Sequence, residues 1–67
     1  MMKLTVNGEH YEHNGEGTVQ SLLAEMNADY GRVAVMVNGD VVSKEDRNET
    51  ELKDGDSVEV LAFAGGG

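Results

Sequence analysis

Residues 64–67 read Ala-Gly-Gly-Gly, so the chain closes on a carboxylate carried by backbone with almost no side chains. Packing cannot hold such residues, and glycine weakens the secondary structure it joins. Extended, the four residues from Ala64 reach about 14 Å at roughly 3.3–3.6 Å per residue, enough to enter a narrow channel while the folded body stays outside. A C-terminal carboxyl has a reference pKa of about 3.3–3.7, so at neutral pH it is ionised and resists nucleophiles. It becomes an acyl donor only after activation. Joining it to AMP with ATP as donor supplies a leaving group that sulfur or nitrogen can displace. The chain holds no P-loop and no dinucleotide fingerprint in a βαβ setting. The tail therefore implies a substrate or carrier and not a catalyst, with no cofactor bound and ATP used by an activating partner. The competing reading is a glycine-rich end that serves only as a linker.

Other residue pairs fit chemistry less well. His10 and His13 are three apart on an expected strand and so point to opposite faces, which argues against a metal pair. His10 is expected in solvent and His13 at an edge covering the core. Asp54 and Asp56 flank Gly55, a pattern that is first a turn device; calcium wants a longer loop of oxygens. Gly15 and Gly17 precede an expected helix and could offer N–H groups to an anion, but Glu16 between them repels phosphate, leaving a flexible strand-to-helix connection. No G-x-S-x-G elbow occurs.

The composition narrows the classes further. Sixty-seven residues make one domain near the lower size limit for a core without disulfides or metals. Cysteine is absent, which removes disulfides and thiolate metal sites. Thirteen acidic against five basic side chains give a net charge of -8, opposed to nucleic acid and suited to a basic partner. The longest apolar run covers residues 33–37, against the roughly 20 residues of a membrane span. A cytoplasmic location is expected.

The elements that must position the tail follow from period and punctuation. Residues 3–6 and 9–13 alternate around Asn7-Gly8, a hairpin placing Leu4, Val6 and Tyr11 on the buried face. Thr18 offers an N-cap to a helix over residues 19–27, with Val19, Leu22, Leu23 and Met26 on one stripe and stop signals from Asn27 to Gly31. Residues 33–37, Asn38-Gly39 and Val41-Val42 make a second hairpin. Residues 43–51 read as loop with one helical turn around 45–48 and Leu52 as anchor. After Asp54-Gly55, residues 57–63 form the last strand, with Val58, Val60 and Ala62 on one face and Glu59, Leu61 and Phe63 on the other. One of these sets lies partly in water. Leu61 and Phe63 are a candidate docking surface beside the tail, although Phe63 could equally close the core. The order β-β-α-β-β-β gives an α+β domain, the β-grasp (ubiquitin-like) arrangement: a mixed sheet of four to five strands with one helix across one face and the first and last strands parallel at its centre. A small barrel is the weaker alternative. The expected division is a domain over residues 1–63 and a flexible tail over 64–67.

Several stretches resemble one family. Asp54-Gly55-Asp56-Ser57-Val58-Glu59-Val60 followed by Phe63-Ala64-Gly65-Gly66-Gly67 is similar to the end of the ThiS sulfur carriers of thiamine biosynthesis. So are residues 4–9, the Gly17-Thr18-Val19 entry with Leu22-Leu23, and Val33-Ala34-Val35 leading to Val37-Asn38-Gly39. The resemblance implies that Gly67 is adenylated by a ThiF-type enzyme and converted to a thiocarboxylate, with sulfur from a cysteine-desulfurase relay. Thiazole synthase (ThiG) would accept that sulfur, and Gly66 and Gly65 would thread the tail into both enzymes. Two features depart from the family's pattern: Ser43-Lys44-Glu45 stands where many members have Pro followed by a basic and an acidic residue, and three glycines stand where two are common. The same terminal chemistry would suit the small subunit of molybdopterin synthase (MoaD-like), or a ubiquitin-like modifier conjugated through Gly67. A plain interaction domain with an idle tail is the remaining reading.

Overall fold

Both Asn-Gly dipeptides turn the chain as their composition demands. In the computed structural model, which describes residues 2–28 and 32–62, Asn7 and Asn38 each take φ 52° and Gly8 and Gly39 take φ 82° and 87°. Two successive left-handed residues match the twist of a hairpin. β1 (Met2–Val6) and β2 (Glu9–His13) pair with Leu4 opposite Tyr11 and Val6 opposite Glu9, the expected register. β3 (Val33–Val37) and β4 (Asp40–Val42) form the second hairpin, with Val35 opposite Val42.

The helix α1 covers Val19–Glu25, two residues shorter than expected. At its start the Thr18 hydroxyl accepts from Ser21 N–H while Ser21 Oγ accepts from Thr18 N–H, a reciprocal capping box. At its end Asn27 takes φ 59°, Asn27 N–H donates to Ala24 O and Ala28 N–H donates to Leu23 O. That left-handed stop is why the helix closes early: Asn27 caps it from outside. Val19, Leu22 and Leu23 are buried against Leu4, Val6, Val33, Val35, Leu52 and Val58. Each such side chain contributes about 1.5–3 kcal/mol when fully buried.

β5 (Ser57–Ala62) enters the middle of a five-stranded sheet of order β2-β1-β5-β3-β4. It runs parallel to β1 and antiparallel to β3, giving the mixed sheet with one helix expected of the β-grasp arrangement. The polar segment between β4 and β5 carries a 3-10 turn at Lys44–Asp46, slightly earlier than expected. It is tied down more firmly than its composition suggests. Arg47 is buried and its Nη2 donates to Val33 O at 2.7 Å, while its carbonyl accepts from Gln20 N–H. Thr50 O accepts from Val19 N–H, so two orphan donors of the helix start are met by this segment. Leu52, buried as expected, donates its N–H to Gly17 O at 2.7 Å.

Candidate functional site

β5 is the element that delivers the tail. Alternate residues on a strand face opposite sides of the sheet, and here Val58 is buried and Val60 half-buried under the helix. Leu61, on the other side, is 51% exposed. Glu59 and Leu61 therefore face water, and on the other side Val58 and Val60 face the core while Ala62, at the strand end, is exposed. The register extends that observation. Leu61 lies opposite Ala34, Glu59 opposite Met36, and Met36 opposite Val41. Directly opposed residues share a face, so Leu61, Ala34, Met36 and Val41 stand on the helix-free side. Val41 is 74% exposed. Only Leu61 of this group was picked out from the sequence. Ala34 and Met36 sit in an unbroken apolar run, where period two is invisible until the register is known. Val41 is flanked by Val42, which turns the other way and packs against the core. Phe63, Ala64, Gly65, Gly66 and Gly67 lie outside the described residues.

A family model described as the ThiS family matches residues 4–67, and so includes the glycine tail. The chain belongs to the ThiS family. That family supplies the sulfur carriers of thiamine biosynthesis, as the sequence resemblance implied. The sulfur carrier protein ThiS of Bacillus subtilis is 37% identical over 65 residues, covering 96% of this chain and 98% of that protein. The crystal structure of the thiamine biosynthesis protein ThiS from Geobacter metallireducens superposes with a TM-score of 0.82 at 42% identity, covering 98% of this chain and 100% of that one. A thiazole synthase of Paramagnetospirillum magneticum is 41% identical over 66 residues; the match takes 98% of this chain but spans only 20% of that protein's length.

The remaining polar candidates in this ThiS-family chain are structural. His13 is 1% exposed, deeper than the edge position expected for it. Gly17 N–H donates to its Nε2 at 3.2 Å, which makes Nε2 the acceptor and leaves the ring proton on Nδ1, where it is donated to Glu25 Oε1 at 2.9 Å. Tyr11 Oη donates to the same oxygen, and Asn14 N–H donates to Glu25 Oε2. Ser21 Oγ lies 2.9 Å from His13 Nε2, so Ser21, His13 and Glu25 stand in the order of a catalytic triad. The arrangement lacks access. The His13 side chain is fully buried, and Ser21 Oγ donates to Thr18 O within the helix cap. In the strand-to-helix connection Asn14, Gly15 and Glu16 are exposed while Gly17 is buried, and Gly17 N–H is occupied by His13 and unavailable to an anion. His10 is exposed, as expected, and sits near Glu12. Asp54 Oδ1 accepts from Lys3 N–H, and Asp56 accepts from Lys53 N–H and Asn38 Nδ2, so both carboxylates serve turns. Among the described residues, no three His, Cys, Asp or Glu converge on a metal-sized site. No helix among them is long and apolar enough to cross a membrane.

Proposed function

We propose that this chain carries sulfur as a thiocarboxylate on Gly67 and delivers it for thiazole formation. What supports the reading most is that the family match runs through the glycine tail, on a chain whose final strand occupies the centre of the sheet. The protein is then a co-substrate and not an enzyme, acting in the cytoplasm and binding no cofactor itself. In the first step a Gly67 carboxylate oxygen bonds to the α-phosphorus of ATP on a ThiF-type adenylating enzyme, and pyrophosphate leaves. The terminal sulfur of a persulfide supplied through a cysteine-desulfurase relay then attacks the acyl carbon, and AMP leaves. A thiol reductant cleaves the S–S bond of the resulting acyl disulfide by thiol–disulfide exchange, leaving the thiocarboxylate on Gly67. A thiazole synthase of the ThiG type accepts the sulfur. The match to part of a thiazole synthase chain supports that partnership.

Gly66, Gly65 and Ala64 serve as the stretch that enters each partner's channel, because backbone with little or no side chain needs the least width. Leu61 and Phe63, joined by Ala34, Met36 and Val41 on the helix-free face, form the docking surface; an apolar patch rimmed by polar residues is the usual mark of such a contact. Intact mass spectrometry of the protein from its native host tests the reading. A species heavier by about 16 Da, oxygen replaced by sulfur, supports it. Higher-mass conjugates that vanish on deletion of Gly67 would show a protein modifier instead, and co-purification with a molybdopterin synthase large subunit would move the carrier to that pathway. Gly66→Val should fold normally yet load sulfur at least about tenfold more slowly, since a β-branched side chain widens the threaded segment. Unimpaired loading of that variant would count against threading.

A further inference from the structure

The strand that leads to the tail is bracketed by the two turn asparagines. At its start, Asn38 N–H donates to Ser57 O at 2.7 Å and Asn38 Oδ1 accepts from Ser57 N–H at 2.9 Å. At its far end β1 runs out first. The parallel ladder pairs Thr5 with Ser57 and Val6 with Val58, and Asn7 N–H adds a bond to Val58 O at 2.8 Å. The chain then turns away at Asn7-Gly8, while β5 goes on to Ala62. On that side the next peptide groups of β5 meet a side chain in place of a strand. Asn7 Oδ1 accepts from Val60 N–H at 2.8 Å, and Asn7 Nδ2 donates to Val60 O at 3.3 Å. A backbone N–H can only donate, so this partner fixes which way the carboxamide points. The amide stands in for one more peptide of β1. Its placement depends on φ 52° at Asn7, a conformation that Asn tolerates better than most side-chain-bearing residues.

We propose that Asn7 is a positioning residue for loading of the tail, fixing the point and the direction in which β5 leaves the sheet toward Gly67. The proposal rests on Gly67 as the loading point. On one side β5 is held by β3, with Ala34 opposite Leu61 and Val33 opposite Ala62. On the other, Asn7 holds Val60. Without the carboxamide, β5 beyond Val58 is held from one side only, by β3. The seven residues after Val60 reach at most about 24 Å when extended, so the point at which β5 leaves the sheet sets which positions the terminus can reach. The exposed apolar face is untouched by the change. Docking therefore persists, while delivery of the carboxylate to the α-phosphorus suffers.

Asn7→Gly keeps the positive φ of the turn and removes the clamp; Asn7→Asp keeps an acceptor for Val60 N–H and loses the donor to Val60 O. ATP–pyrophosphate exchange by a ThiF-type enzyme reads the step in which the Gly67 oxygen bonds to phosphorus and pyrophosphate leaves. The expected result for Asn7→Gly is a kcat lowered about tenfold with KM within about twofold, and Asn7→Asp between it and the native chain. Amide hydrogen exchange should quicken at Val60 and stay slow at Val58. An unchanged kcat, or a loss confined to KM, would overturn the positioning role. Should Asn7→Gly fail to fold, Asn7→Asp decides on the same readouts. If the native chain itself supports no exchange, the thiocarboxylate reading and this inference fall together; equal exchange by native chain and Asn7→Gly removes this inference alone.

Discussion

Gly15 lies against the imidazole of His13 so closely that a Cβ built there would stand 2.6 Å from Cε1 and 2.9 Å from Nε2. The ring cannot retreat, because Gly17 and Glu25 bond to its two nitrogens and Ser21 Oγ stands 2.9 Å from Nε2. Gly15→Ala should therefore lower stability by about 1–3 kcal/mol, measured by urea unfolding, the usual range for overpacking beside a fixed group. A loss below a few tenths would show that the loop yields. The same cluster sets a pH dependence. Donation from His13 first, then from Asn14 N–H and Tyr11, holds the Glu25 carboxyl below its ordinary range. The folded state thus takes up that proton less readily than the unfolded chain. The stabilisation is present above about pH 4.3, the ordinary Glu value, and is lost as pH falls through the lower folded one. Thermal melts from pH 6 down to pH 2 should fall less steeply for Glu25→Gln than for the native chain. Tyr11 runs the other way: burial first, then its bond to Glu25, raises its pKa, so its share persists below about pH 10 and is lost as pH climbs through the raised value.

At the scale of the element, hairpins and helix are legible in the sequence because each is written twice, once as an apolar period and once as a turn or cap. Asn7-Gly8, Asn38-Gly39 and Thr18 all do what their chemistry dictates. Arg47 is the counterexample. Within a polar, aperiodic stretch nothing marks it as interior, and its burial comes from a partner fourteen residues away in sequence, the carbonyl of Val33. His13 is similar, since the depth of a strand end depends on a helix whose Glu25 and Ser21 reach back to it. The clamp of Asn7 on Val60 is equally silent, because the turn alone accounts for Asn at that position. Arg47→Met, which keeps much of the apolar stem but loses the charged donor, should cost about 1.5–3 kcal/mol in chemical denaturation. An unchanged midpoint would mean that the stem alone matters.

For the molecule as a whole, one face of the sheet is covered by α1 and the other presents Leu61 and Val41 to solvent, with half-buried Ala34 and Met36 on the same side. Leu61→Glu combined with Val41→Glu should leave the melting temperature within a few degrees yet raise KM for the adenylating enzyme about tenfold or more, as expected when an exposed contact, and not the core, is lost. The docking role fails if KM stays put. The charge of -8 adds an ionic-strength dependence: association with a basic partner should slow as salt rises from 0.05 to about 0.5 M.

The parallel pairing of β1 with β5 also governs how the chain reaches this state. Lys3 bonds to Asp54 and Asn7 to Val60, partners 51 and 53 positions apart, so the two hairpins cannot join into one sheet until the final strand arrives. Such distant pairings slow folding relative to helical domains of equal size. A protease that removed β5 would leave two unpaired hairpins, so damage just inside the tail is coupled to collapse of the whole sheet.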